Sequence, residues 1–79
     1  MNVRLFARLR DLAGRDVIEV ELPAGATVAD LRLTLVEKCP ALKGLLDRCA
    51  VAVNEEFAEN DLSLPVGAEV AVLPPVSGG

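Results

Sequence analysis

Few side chains in this sequence can do covalent chemistry. Its 79 residues include no histidine and no tyrosine, and two cysteines, Cys39 and Cys49. Their spacing is neither a zinc motif nor a redox motif. Ser63 and Ser77 lack a base in any recognisable triad pattern. The carboxylates at Glu55-Glu56 and from Glu59 to Asp61 fall in predicted turns, and a short hairpin rarely converges enough oxygen ligands for a metal. No metal site is expected. Gly78-Gly79 is not a phosphate loop, because no helix can follow it.

What remains is the terminal stretch Leu73-Pro74-Pro75-Val76-Ser77-Gly78-Gly79. Pro74 and Pro75 fix φ and favour an extended exit from a preceding strand. Val76 offers one apolar handle, and Ser77, Gly78 and Gly79 present a thin backbone able to enter a narrow channel in another protein. Fixing each backbone residue there costs about 1–2 kcal/mol, a cost the prolines lower by restricting the free tail. A Gly79 carboxylate on such a stalk is sterically open to attack the α-phosphate of a nucleotide. The terminus and the surfaces are left as the working parts.

Several elements must hold that tail. Asn2 to Arg8 alternates with period two and reads as a strand, with Val3, Leu5 and Ala7 on one face and Arg4, Phe6 and Arg8 on the other. Leu9 to Gly14 reads as a short helical turn closed by a left-handed Gly14. Val17 to Leu22 alternates again, with Ile18, Val20 and Leu22 inward. Thr27 is placed to cap the main helix and Asp30 to favour its positive end. Val28, Leu31, Leu35 and Cys39 form one stripe with Val36 beside them, and Pro40 stops the helix. Leu42 to Arg48 reads as a second short helix, Ala50 to Val53 as a third strand, and Phe57-Ala58 as a very short returning strand. Glu69 to Leu73 is the last strand. These elements make an α+β roll, a mixed sheet of four to five strands packed on one main helix. The first and last strands can lie side by side as in the ubiquitin-like β-grasp, although composition alone leaves other small α+β orders open. Residues 1–73 are expected to form the domain and residues 74–79 a projecting tail.

Composition narrows the classes of function. Hydrophobic residues make up 52% of the chain and aromatics 3%, so an aliphatic core is expected. The net charge of −4 argues against a general nucleic-acid binder, which carries a basic face. No apolar run reaches the length of a membrane span, and no secretory leader precedes the first strand. A cytoplasmic protein with reduced, buried or half-buried thiols is expected. If the first and last strands are neighbours, Phe6 lies across from Ala71 or Leu73 on the face away from the helix, with Arg4 and Arg8 at the margin of an apolar docking patch. Leu33 lies off the helical stripe as a second contact, and Arg32 is expected to snorkel at the stripe's edge.

The chain also resembles the small subunit of molybdopterin synthase, the MoaD family of ubiquitin-like sulfur carriers. Phe6-Ala7-Arg8-Leu9-Arg10-Asp11-Leu12-Ala13-Gly14 is similar to the family's opening strand and turn, and Ala26-Thr27-Val28-Ala29-Asp30-Leu31 to its helix start. Val51-Ala52-Val53-Asn54 is similar to its third strand, and Gly67-Ala68-Glu69-Val70-Ala71 leads to Pro74-Pro75-Val76-Ser77-Gly78-Gly79. Leu64-Pro65-Val66-Gly67-Ala68-Glu69 departs from the family's more usual Asp-Gly-Asp-Glu type of turn. The resemblance implies that an E1-like enzyme adenylates Gly79 with ATP and magnesium. A sulfur donor, such as a cysteine desulfurase or rhodanese, then makes the thiocarboxylate. It further implies that Pro75, Val76, Ser77 and Gly78 enter the large synthase subunit, which transfers sulfur to cyclic pyranopterin monophosphate. On this reading no cofactor is permanently bound, catalytic side chains reside in the partners, and the chain is not an enzyme on its own. Related carriers for thiazole synthesis, cysteine synthesis or tRNA thiolation share the expected fold and ending. A ubiquitin-like modifier would use the same Gly79, and a plain interaction module would leave the tail inert.

Overall fold

Alternation along each strand sets the two faces of the sheet. In the computed structural model, which describes residues 1–75, β1 (Asn2–Leu5) buries Val3 and Leu5 and exposes Asn2 and Arg4. A six-residue helix α1 (Arg8–Ala13) follows and ends at Gly14, whose φ of 74° is the left-handed conformation expected of it. Then come β2 (Val17–Glu19), the main helix α2 (Val28–Lys38), β3 (Ala50–Val53), β4 (Glu56–Phe57) and β5 (Val70–Leu73). The five strands form one sheet in the order β2-β1-β5-β3-β4. β1 runs parallel to β5, and the other neighbours are antiparallel. This is the mixed sheet on one main helix, with the first and last strands adjacent, that the ubiquitin-like β-grasp requires.

Thr27 and Asp30 fix where α2 begins. The Asp30 N–H donates to Thr27 Oγ1 (3.3 Å) and the Thr27 N–H donates to Asp30 Oδ2 (2.9 Å), a reciprocal capping box that satisfies two otherwise free amides. Val28, Leu31 and Leu35 are buried on the stripe facing the sheet, where they meet Val3, Leu5, Ile18, Val51, Val53, Val70 and Val72. Val36 and Cys39 pack at the edge of this aliphatic core, and among the described residues no polar or charged residue is buried. In the last turn, Lys38 Nζ donates to the Glu19 carbonyl (2.7 Å) and fastens the helix to β2. Among the described residues, no helix is long and apolar enough to cross a membrane.

Several local expectations differ from the structure, and one is β4, which is Glu56–Phe57 where Phe57-Ala58 was expected. β2 stops at Glu19, although the Val20 N–H still donates to the Met1 carbonyl and the Met1 ammonium to the Val20 carbonyl (2.9 Å each). The stretch from Leu42 to Arg48 is not one helix. It forms two 3-10 turns, Pro40–Leu42 and Leu46–Arg48, each pinning one buried leucine, with Gly44 between them. Ala7 was expected on the core face and is exposed, because the chain leaves the strand there. Its φ of 51° and ψ of −125°, with the Leu9 N–H donating to the Phe6 carbonyl (3.1 Å), make a type II′ turn that glycine ordinarily occupies.

Candidate functional site

The helix covers one face of the sheet and leaves the other open. Strand register builds that open face residue by residue. Arg4 pairs with Val17 on one side and Ala71 on the other, Ala71 with Ala52, and Ala52 with Phe57. Val17, Arg4, Ala71, Ala52 and Phe57 therefore lie in one row across all five strands. A second row lies toward the end of β5: Leu73 pairs with Ala50, and Phe6 sits one step beyond the Leu5–Val72 pair. The third row, at the opposite end, is polar, with Glu19 opposite Asn2. The face is thus apolar where β5 leaves for the tail and polar at the far end.

Two aromatic rings mark this face. Phe6 is 38% exposed, and the Arg4 guanidinium carbon lies 5.4 Å from its ring centroid, within cation–π reach. Phe57, at the edge strand, is 78% exposed. Between Arg4, Phe6, Ala52, Glu55, Glu69 and Ala71 is a shallow hollow of about 190 Å³. A small hollow on an exposed apolar face fits a protein partner better than a small substrate.

The turn between β3 and β4 is tied to the start of β5. Asn54 and Glu55 both have positive φ, 51° and 70°, in a two-residue hairpin connection. The Asn54 N–H donates to the Glu69 carbonyl (2.7 Å), and the Glu69 N–H donates back to Asn54 Oδ1 (2.9 Å). Asn54 thereby supports the strand that carries the tail. On the other side of β3, Cys49 is buried just before Ala50, and its thiol donates to the Leu45 carbonyl (3.2 Å). Burial pushes this thiol's pKa up, against the smaller opposing effect of Arg32 and Arg48. A buried thiol held protonated is a poor nucleophile. Cys39 is half-buried, and both cysteines are free.

The structure brings most of the expected docking residues together. Phe6, Arg4, Ala71 and Leu73 share the open face as anticipated, and Phe6 lies on the Leu73 side. Arg4 is not at the margin: the parallel pairing with β5 puts β1 second in the sheet, so Arg4 sits between Val17 and Ala71. Arg8 is exposed, but it is the first residue of α1 because the turn at Ala7 takes it out of the strand. Leu33 is exposed on α2, apart from the sheet face. Pro74 is half-buried and Pro75 exposed, while Val76, Ser77, Gly78 and Gly79 lie outside the described residues.

Val17, Ala52 and Phe57 were not anticipated on this face. Val17 carried a signal, as an apolar residue in the outward phase of an alternating strand. Arg32 was expected to snorkel, yet its Nε donates to Asn60 Oδ1 (2.8 Å) and its Nη1 to the Leu46 carbonyl (2.7 Å). It clamps two loops to α2, and nothing in its local sequence announces those partners. Among the described residues, no group of three or more His, Cys, Asp or Glu could hold a metal ion.

Comparison with known proteins places this geometry among relatives. The ThiS family matches residues 3–79. The molybdopterin synthase sulfur carrier subunit of Chlamydomonas reinhardtii is 36% identical over 81 residues, covering 100% of this chain and 98% of that protein. Small archaeal modifier protein 1 of Haloferax volcanii is 37% identical over 87 residues, covering 100% of both. A crystal structure of that modifier superposes with a TM-score of 0.87 at 36% identity, over 99% of this chain and 97% of the other. A chain in the complex of subunits 1 and 2 of the molybdopterin-converting factor from Helicobacter pylori matches with a TM-score of 0.69 at 25% identity, over 99% and 96%.

Proposed function

Since this chain belongs to the ThiS family, we propose that it is the sulfur-carrier subunit of a molybdopterin synthase. Its relatives and its β-grasp fold support a sulfur-carrier or ubiquitin-like role. The observation that carries the more specific reading is the end-to-end match to a molybdopterin synthase sulfur carrier subunit. The open sheet face adds to it, since its apolar rows end where β5 gives way to the tail.

In the proposed cycle, a Gly79 carboxylate oxygen attacks the α-phosphate of ATP, held with magnesium by an E1-like enzyme, and pyrophosphate leaves. A carboxylate is a poor electrophile, and the acyl-adenylate supplies a leaving group. The outer sulfur of a cysteine persulfide on a cysteine desulfurase or rhodanese then displaces AMP, and a thiol reductant cleaves the resulting acyl disulfide to leave the thiocarboxylate. Phe6, Arg4, Ala71 and Leu73 dock on the large subunit, and Pro75, Val76, Ser77 and Gly78 deliver the sulfur to cyclic pyranopterin monophosphate. Arg8 lies near the same end of β1 and contacts the rim. Catalytic side chains belong to the partners, and the chain itself binds no permanent cofactor.

Incubation with ATP, magnesium, an E1-like enzyme and a sulfur donor tests the loading step. Mass spectrometry is expected to show one oxygen of the chain replaced by sulfur, and the loaded chain is expected to yield molybdopterin with the large subunit and precursor. Deleting Gly79 or extending the chain beyond it abolishes loading. Undiminished sulfur transfer by a chain with a blocked terminus overturns the proposal. The likeness to a small archaeal modifier favours a second reading, attachment through Gly79 to lysines of other proteins. Lysine conjugates without a thiocarboxylate would decide for it.

A further inference from the structure

The two edges of the sheet are not equivalent. On β2, hydrogen bonds from the Leu5 N–H to the Asp16 carbonyl (2.8 Å) and between Met1 and Val20 turn the even-numbered residues toward β1. The backbone groups of Val17 and Glu19 therefore point outward, and Lys38 Nζ takes the Glu19 carbonyl. A lysine laid across an edge in this way obstructs strand addition. On β4, the Ala58 N–H donates to the Val51 carbonyl (2.8 Å), and Glu56 pairs with Val53, so both residues face β3. The Phe57 N–H and carbonyl consequently point away from the sheet. Beside them is a cleft of about 540 Å³ lined by Phe57, Ala58 and Leu62 together with Glu56, Glu59 and Asp61.

Cationic side chains are unevenly placed along the sequence. All eight cationic side chains precede residue 49, and from Cys49 onward the chain carries Glu55, Glu56, Glu59, Asp61 and Glu69 with no lysine or arginine. Sheet order places β4 at the end farthest from β2, and Glu59 and Asp61 line the cleft beside it. Arg32 reaches this side, but its guanidinium donates to Asn60 and the Leu46 carbonyl. The carboxylates do not converge on a point where a metal ion could sit. Spread along an open edge, they suit an extended cationic chain and would repel a second copy of the same edge.

We propose that the β4 edge docks an extended segment of a partner protein as a sixth strand, in which one apolar residue stands between two lysines or arginines. Side chains alternate across a strand, so the apolar residue lies beside Phe57 on the open face. The flanking cations fall on the opposite face, toward Glu56, Glu59 and Asp61. The Phe57 N–H and carbonyl bond to the backbone of the apolar residue, as in other strand-addition complexes. This inference uses neither the tail nor the sulfur-carrier reading.

Nuclear magnetic resonance titration of the full chain with the capped pentapeptide alanine-lysine-valine-lysine-alanine tests it. Shifts are expected over Glu56 to Ser63, with slowed hydrogen exchange at the Phe57 amide and affinity falling as salt rises. The triple variant Glu56→Gln, Glu59→Gln, Asp61→Asn should bind roughly fourfold more weakly, if each of the peptide's two lysines loses a surface ion pair worth a factor of about two. N-methylation of the peptide's valine should abolish the Phe57 protection. Absence of shifts at millimolar peptide, shifts centred on Val17–Glu19, or equal binding by the N-methylated peptide overturns the proposal. So does concentration-dependent protection of Phe57 without peptide, which would assign the edge to self-association.

Discussion

Replacing Phe6 by alanine separates two contributions of one ring. Phe6 is 38% exposed, so of a phenylalanine's surface of about 200 Å², about 75 Å² remains for a partner to cover. At roughly 25 cal/mol per Å², that area is worth about 2 kcal/mol of binding, a rise of about 30-fold in Kd. The other part of the ring, about 125 Å², is already covered within the domain and contributes at most about 3 kcal/mol to folding. Both losses must be measured. Urea unfolding gives the folding loss, and calorimetric titration with the large synthase subunit, on samples shown to be folded, gives the binding loss. Arg4→Met adds a control: it keeps an apolar stem, removes the cation–π contact, and is expected to reduce the effect of Phe6→Ala by about 0.5 kcal/mol in a double-mutant cycle. An unchanged Kd for folded Phe6→Ala refutes the assignment of the open face to that partner. Weaker binding that only tracks the fraction of unfolded protein refutes it equally.

Arg32→Met retains the aliphatic stem and removes two hydrogen bonds from a half-exposed guanidinium, so a loss of about 1–2 kcal/mol in urea unfolding is expected. Hydrogen exchange should quicken at Ala29, whose N–H donates to the Asn60 carbonyl; a neutral result would return Arg32 to a snorkelling role. Ala7→Gly should raise stability by about 1 kcal/mol, because glycine adopts the positive-φ turn position without the strain alanine bears. A loss of stability there would mean the turn is not strained. Cys49 titrates higher in the folded chain than its usual value of 9.0, chiefly through burial. The folded state then holds the proton more tightly than the unfolded state, so its contribution to stability is complete below pH 9.0 and is lost as pH rises through the folded value. Unfolding measured on either side of that pH should show a decline in the native chain that Cys49→Ala flattens.

Much of the architecture was legible because its signals are local. Period-two alternation marked β1, β3 and β5, and the spacing of Val28, Leu31 and Leu35 marked the buried side of α2. Thr27 and Asp30 fixed the helix start, since capping involves residues three apart. Where local signals competed, the reading failed. Ala7 continued an alternating pattern, but closure of the turn onto α1 took it out of the strand. Leu42 to Arg48 looked helical, yet the need to bury Leu42 and Leu46 separately is met by two short turns on either side of Gly44.

The sequence by itself determined which residues are apolar, where the main helix starts and stops, and that the chain runs through Pro74-Pro75 to Gly78-Gly79. The tertiary structure decided what stands beside what. Arg4 came to lie between Val17 and Ala71, and Phe57 joined a row that begins at Val17, because hydrogen bonding between β1 and β5 and between β5 and β3 fixes register over long separations. The clamp from Arg32 to Asn60 and Leu46, and the lysine across β2 opposite an open β4, arise in the same way. Periodicity records which face of an element is buried, whereas pairing between distant elements depends on the shared core that all of them must close.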